Sequence, residues 1–174
     1  MDIAILTGNT IRVKSKNTVI VINPTKETSK TEANCILKLA DLINFSDSKI
    51  EGSRITISGT GEYEVGGVKI SVFNIGNNLI ARIDSESIKL LVGRGEAMEK
   101  IQDKVEDSDI LLVDAEDKFN YSVVTSLDPK IVLAYGTGVG DFEKALGKSN
   151  SEKTHKFSIT AAKLPSEIQF IHLA

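Results

Sequence analysis

Histidine is nearly missing from this sequence: 174 residues include two, His155 and His172, both towards the C-terminal end. A site that needs three or more imidazoles cannot be built from one copy of the chain. Cysteine is rarer still. Cys35 stands alone, which excludes an internal disulfide framework and any Cys-rich zinc module. Positive charge is not in excess, since 24 acidic against 21 basic residues give a net charge of −3. No global positive field is therefore available to hold nucleic acid nonspecifically. No apolar run approaches the ~20 residues that span a bilayer, and Met1–Val13 lacks the basic start and apolar core of a signal peptide. These absences predict a cytoplasmic protein with neither nucleic acid nor a membrane as partner. A 41% hydrophobic share is enough for one compact domain, taken as residues 1–174, with a real core.

The first half is patterned as short β-type runs between turn residues. Ile3–Leu6 and Ile11–Val13 flank Thr7-Gly8-Asn9-Thr10 and predict a hairpin. Val19–Ile22 stops at Asn23-Pro24, where proline removes a ladder donor, and Pro24–Ala33 reads as loop. Leu42–Phe45, Ile55–Ile57, Val68–Phe73, Leu79–Ile83 and Ile88–Val92 read as further strands. The second half changes rhythm. Met98, Ile101 and Val105 recur at helical spacing and predict a helix over Glu96–Val105. Ile110–Val113 and Ile131–Ala134 are fully apolar strands, Asn120–Leu127 a short helix, and Asp141 a cap for a helix through Leu146. Phe157–Ile159 and Ile168–His172 close the chain as strands. The result is an α/β chain, strand-rich in its first half, with helices covering sheets.

Few local motifs carry chemistry. Gly136-Thr137-Gly138-Val139-Gly140-Asp141 lies between a strand and a helix, where backbone amides can hold an anion. Its spacing is neither the dinucleotide fingerprint nor a Walker loop, so a turn is the better reading. Glu62 and Glu64 share a face if Gly61–Val65 is extended, as solvated acids on a strand edge. His155 sits in a basic polar stretch and reads as a surface side chain. His172 falls on the last strand, satisfied by a neighbour. Neither has a second ligand at metal-binding spacing. Cys35, among aliphatic residues, reads as a small buried hydrophobe. Ser58, Ser71 and Ser126 lack a nucleophile-elbow context.

Four segments in order carry a wider likeness: Ala40-Asp41-Leu42-Ile43-Asn44-Phe45-Ser46, Gly61-Glu62-Tyr63-Glu64-Val65-Gly66-Gly67-Val68, Ser108–Val113 and Asp128–Leu133. Together with Gly8-Asn9-Thr10 and Asn23-Pro24 they resemble the small prokaryotic hydrolases of the metallo-β-lactamase superfamily, over nearly the whole chain. The resemblance implies a four-layer αββα sandwich, reduced in size. It also implies hydrolysis by water activated on one or two metal ions, usually zinc, with a bound water whose pKa falls towards ~7.

Position by position, the resemblance implies that the metal ligands are gone. Where the family has H-x-H-x-D-H, this chain is matched with Asp47-Ser48-Lys49-Ile50-Glu51-Gly52. The next histidine falls in Asn74–Asn78, which has none. The family's Gly-Asp is matched by Gly93-Arg94, and its last histidine by Gly136. Arg94 and Lys49 are cations that repel a divalent ion. They are expected to join Asp47 and Glu51 in an ion-pair cluster in the former pocket, of which Arg94→Ala would remove one partner. Four solvated charges without mutual contact fit the same residues.

Three functional readings follow. The first is a non-catalytic, metal-free pseudoenzyme, a binding or assembly module acting as a homo-oligomer, with no cofactor. The second is a hydrolase that keeps a metal, zinc among the candidates, on Asp47, Glu51 and a histidine from another region or subunit. The third is a binder of an anionic small molecule through Lys49, Arg94 and Gly136–Gly140.

Overall fold

A computed structural model describes the chain apart from residues 102–103, 106, 117–119 and 149–150 and the side chains at 123 and 125. In chain order, Asp2–Leu6 (β1) turns through a 3-10 turn at Thr7–Asn9 into Thr10–Ser15 (β2), followed by Thr18–Ile22 (β3). Short strands follow at Thr31–Glu32 (β4), Cys35–Leu37 (β5), Ile50–Glu51 (β6) and Ile55–Ile57 (β7). A meander comes next: Gly61–Val65 (β8), Val68–Ile75 (β9), Asn78–Ser85 (β10) and Ile88–Arg94 (β11). The remaining elements are Gly95–Met98 (α1), Ile110–Asp114 (β12), Val123–Leu127 (α2), Ile131–Tyr135 (β13) and Val139–Ala145 (α3). Glu152–Thr154 (β14), Lys156–Ser158 (β15) and Gln169–Leu173 (β16) end the chain.

These strands build two sheets packed face to face. The first has the order β15-β1-β2-β3-β5-β7, and the second β14-β16-β13-β12-β11-β10-β9-β8. Strand alternation explains the packing: Ile11, Val13, Ile20, Ile22, Cys35 and Leu37 from one sheet meet Ile83, Leu90, Val92, Ile110, Leu112 and Leu133 from the other in one core. The opposite face of the second sheet is apolar too. Leu91, Leu111, Val113, Val132 and Ala134 lie under Met98, Ile101, Val124 and Phe142 of the helical side. Covered on both faces, the parallel strands β11, β12, β13 and β16 are nearly continuous apolar runs.

The helical layer is confined to that one outer face among the described residues. On the outer face of the first sheet, Val21 and Ile36 are buried beneath irregular chain. That cover is tied by the two-residue ladder of β4 with β6 and by the bond from the Lys26 amide to Asn44 O at 3.1 Å.

Three local expectations change. Leu42–Phe45 is not a strand: Ile43 is fully exposed and Phe45 makes one isolated bridge to Thr25. The strand is Cys35–Leu37, just upstream, because it is there that the chain finds parallel partners on both sides. The helix expected over Glu96–Val105 is regular only through Met98, with residues 102–103 outside the described ones. Its apolar stripe of Met98, Ile101 and Val105 is nevertheless buried as the spacing required. The last helix starts at Val139 with Gly138 as N-cap, leaving Asp141 in the first turn, favourable to the helix dipole, but not the cap.

Candidate functional site

In open α/β sheets, ligand sites fall outside the carboxyl ends of the parallel strands. Here those ends line one edge of the sandwich. β11, β12 and β13 are in register, so that Arg94 lies beside Asp114 and Asp114 beside Tyr135. Alternation continues from the core residues Val92, Leu112 and Leu133, so all three side chains project on the inner side at the mouth. Arg94 Nε is 3.7 Å from Asp114 Oδ2, with Asp114 only 12% exposed. The Tyr135 hydroxyl is held well above the ordinary phenol pKa. Burial is the main cause, and Asp114 and Glu116 reinforce it while Arg94 opposes.

Glu116 follows β12 and spans the mouth. Its Oε1 accepts from Asn9 Nδ2 at 2.9 Å, and its Oε2 from Thr137 Oγ1 at 3.2 Å. Asn9 belongs to the β1–β2 turn of the first sheet, so the carboxylate links the ends of both sheets. Gly136 must be glycine: its φ is +101°, and a Cβ would lie 3.0 Å from Glu116 Oε1 and 3.2 Å from the Glu116 backbone nitrogen.

The first sheet contributes neutral groups. Asn23 Oδ1 accepts from the Leu39 amide at 2.7 Å and the Ala40 amide at 3.3 Å. Thr10 Oγ1 and Thr28 Oγ1 are 2.6 Å apart, and Thr28 Oγ1 also accepts from the Thr25 amide. These buried polar groups satisfy one another.

Of the residues singled out in sequence, Arg94 and Gly136 are at the mouth. Asp47, Lys49 and Glu51 are not. They lie with the chain covering the outer face of the first sheet, where Asp47 borders Ile36 and Glu51 borders Val19. Lys49 Nζ donates to Lys26 O at 2.8 Å, and Glu51 pairs with exposed Lys30 at 2.8 Å. The expected four-residue cluster is therefore not formed. The chain that leaves the first sheet beside the mouth is Lys38-Leu39-Ala40-Asp41, after β5. Reading Leu42–Phe45 as the preceding strand moved the match to Asp47–Gly52.

Asp114, Glu116 and Tyr135 were missed. The available signal was an apolar run ending on a charged residue, Ile110–Asp114, followed by another acid two positions on. Glu62 and Glu64 are exposed, as expected of an edge strand. Cys35 is buried, its thiol pushed up to about 11 by desolvation. The glycine-rich turn spends three amides on nearby carbonyls: Gly138 on Ala115 O, Val139 on Gly136 O and Asp141 on Gly138 O.

Both histidines line a cavity of about 620 Å³ next to this mouth, with Asn9, Ser29, Gly136 and Thr137. His155 is exposed. His172 was expected to be satisfied by a neighbour, but among the described residues its buried Nδ1 has no hydrogen-bond partner, and neither has Glu143 Oε1. Burial lowers the His172 pKa; Lys153 adds to the effect and Glu143 opposes it.

A divalent ion needs several deprotonated donors converging on one point. At the mouth, Asp114 faces Arg94, Glu116 is engaged by Asn9 and Thr137, and Asn23 is engaged by two backbone amides. A permanent cation stands in the row. Among the described residues, no group of three or more His, Cys, Asp or Glu side chains is placed to hold a metal ion. The residues do not fit the metal that the resemblance implies.

The sequence matches no family model and no curated protein. Solved structures do match over almost the entire chain. One, assigned as a zinc-dependent hydrolase of the metallo-β-lactamase superfamily from Thermotoga maritima, aligns with TM-score 0.78 at 18% identity, covering 98% of this chain and 97% of that one. A protein assigned as a metal-dependent hydrolase from Parabacteroides distasonis gives 0.66 at 11% identity, with 97% and 91% covered. YhfI of Bacillus subtilis, a metallo-β-lactamase-fold protein, gives 0.58 at 9%, with 98% and 95% covered. The chain has the metallo-β-lactamase fold: a small α/β sandwich whose structural neighbours include metal-dependent hydrolases. No helix among the described residues is long and apolar enough to cross a membrane.

Proposed function

We propose that this chain is a metal-free form of the fold, a pseudoenzyme that serves as a binding or assembly module in the cytoplasm, as a homo-oligomer and without a cofactor. The observation that carries the reading is the row Arg94–Asp114–Tyr135 at the mouth, where a fixed cation, a carboxylate and a buried phenol lie side by side. A guanidinium cannot be deprotonated in a protein, so it cannot become a ligand at any working pH. The strap from Asn9 through Glu116 to Thr137 supports the same reading, because it uses the mouth's remaining carboxylate in joining the two sheets. The test is elemental analysis of protein purified without chelator, together with calorimetric titration with Zn²⁺ and Mn²⁺. Metal well below stoichiometry and no binding isotherm are expected. One tightly held ion per chain would overturn the reading.

One observation favours the second reading, a hydrolase with an unusual metal site: His155 and His172 share the cavity that borders Gly136 and Thr137. On that reading the bound metal disappears in His155→Ala or His172→Ala, so the same elemental analysis separates the two. The anion-binding reading loses its receptors. Lys49 lies on the outer face of the first sheet, Arg94 faces Asp114, and the glycine-rich turn uses amides internally.

A further inference from the structure

The second sheet ends at β8, which has a strand on one side only. Its hairpin to β9 turns through Gly66-Gly67, both at positive φ, with Val65 opposite Val68. A two-residue turn makes its flanking residues a hydrogen-bonded pair, and such pairs then alternate along the ladder. Val65, Tyr63 and Gly61 therefore direct their N–H and C=O groups to β9, while Glu64 and Glu62 direct theirs away from the sheet. Tyr63 and Val65 pack half-buried on the inner core, so the side chains of Glu62 and Glu64 stand on the outer face, where both are exposed.

Charge on that outer face follows the register. Glu64 lies opposite Lys69, Lys69 opposite Asp84, and Asp84 opposite Lys89. The Lys89 amide donates to Asp109 Oδ2 at 2.9 Å, and Asp109 Oδ1 is 3.3 Å from Lys130 Nζ. Sign alternates at every step from Lys130 to Glu64, and the row stops at the open edge on an anion. In the next row Glu62 lies opposite Ser71, and Arg82 beyond it is bonded to Asp84 at 2.9 Å. Among the described residues neither Glu62 nor Glu64 has an ion-pair partner. A hollow of about 630 Å³ beside them, bordered by Lys69, Ser71, Phe73, Arg82 and Lys104, leaves room for long side chains. The edge does not suit itself. Antiparallel pairing of two copies of β8 about Tyr63 sets Glu62 of each against Glu64 of the other, and like charges directly opposite destabilise a ladder.

We infer that β8 is a docking edge for an extended segment of another protein, which adds to it as an antiparallel strand. The segment carries Lys or Arg opposite Glu62 and Glu64, continuing the alternation of sign, and an apolar residue between them on the side of half-buried Tyr63. Backbone pairing supplies the affinity, and the two cations choose the partner. Nothing in this surface depends on whether the mouth takes a metal.

The experiment titrates the whole chain, ¹⁵N-labelled, with a short synthetic peptide that alternates lysine and valine, and follows amide shifts and amide exchange. In the free protein the Tyr63 amide should exchange slowly and the Glu62 and Glu64 amides fast. At saturation with peptide all three should be slow. A peptide with glutamate in place of lysine should not bind. Methylating the backbone nitrogens of the lysines should abolish binding, and methylating those of the valines should not, because only the former face β8. Glu62→Gln/Glu64→Gln should weaken binding about tenfold, the share of two cross-strand charge pairs. If that variant does not fold, the methylated peptides decide the matter on wild type. Equal binding of the lysine and glutamate peptides overturns the docking edge, as does binding that leaves the Glu62 and Glu64 amides fast, or no binding of the lysine peptide at millimolar concentration. Glu62 and Glu64 amides that are slow in concentrated free protein and fast on dilution would put a second copy on the edge, which overturns the basic partner.

Discussion

The two sheets end at the same mouth, and they end differently. The second sheet delivers charge: Arg94, Asp114 and then Glu116, on adjacent strands or just beyond them. The first sheet delivers neutral groups that bond to one another and to backbone, Thr10 with Thr28 and Asn23 with the amides of Leu39 and Ala40. A cation site between two sheets needs donors from both walls. Here one wall sets Arg94 against Asp114 and ties Glu116 to Asn9 and Thr137, while the buried groups of the other are neutral and bond among themselves and to backbone. The two walls are joined by Glu116, through Asn9 on one side and Thr137 on the other.

The largest expected effect is on the neutral wall. Asn23 is buried and holds two backbone amides through one oxygen, so Asn23→Ala leaves two amides without their partner. The cost is about 2–4 kcal/mol, read as a lower midpoint in urea unfolding. A midpoint within error of wild type would mean that water satisfies these amides, and that the first wall is not closed as described. On the charged wall, Gly136→Ala should cost about 1–3 kcal/mol, because alanine pays for a positive φ and its Cβ meets both the side chain and backbone of Glu116. Glu116→Ala in the same protein should recover part of that loss, since it removes the side-chain share of the clash. No recovery would place the whole cost in the backbone.

These two walls were not equally legible in the sequence. The strands of the second sheet were, because parallel strands covered on both faces must be apolar at every position, and Ile110–Val113 or Ile131–Ala134 fit little else. The hairpin at Thr7–Asn9 was legible from its turn residues. Strand β5 was not. It has three residues, and Cys35-Ile36-Leu37 owes its existence to partners far along the chain, which no local pattern reports. Leu42–Phe45 has the stronger local signal and gains only the isolated bridge of Phe45 to Thr25. That single exchange displaced the candidate ligand segment and with it Asp47, Lys49 and Glu51, although Arg94 and Gly136 were placed at the mouth by their own strand ends. Asp114 and Glu116 escaped notice because a charge at the end of an apolar run reads as an ordinary strand terminus until the register of its neighbour is known.

A smaller effect separates the mouth from the outer face of the second sheet. His172 sits on β16 between core neighbours Ile171 and Leu173, so its ring projects to the helical side. Burial, aided by Lys153 and opposed by Glu143 of α3, lowers its pKa from 6.5. The unfolded chain therefore binds a proton more readily than the folded one. The stability this contributes is present above pH ~6.5 and is lost as the pH falls from there through the folded-state value. Melting temperature should drop on acidification across that window, and His172→Gln should flatten the drop. Arg94 keeps its charge throughout this range, so a drop that survives in His172→Gln would place the sensitive group elsewhere.

The smallest effect tests whether charge matters here by location or by count. Glu51 and Lys30 form a shorter contact than Arg94 and Asp114, 2.8 Å against 3.7 Å, and by distance alone should be the stronger pair. Exposure reverses the ranking. The Lys30 and Glu51 side chains are 72% and 55% exposed, where water and salt screen the attraction and two flexible side chains lose entropy in meeting. Asp114, at 12%, has given up most of its water, and Arg94 and the Glu116 amide are among the groups that replace it. Glu51→Ala should therefore leave the melting temperature within about 1 °C of wild type, at low and high salt alike, while Arg94→Met lowers it by several times that. Equal losses from the two substitutions would mean that the mouth is no drier than the outer surface, and the contrast between the walls would then owe nothing to burial.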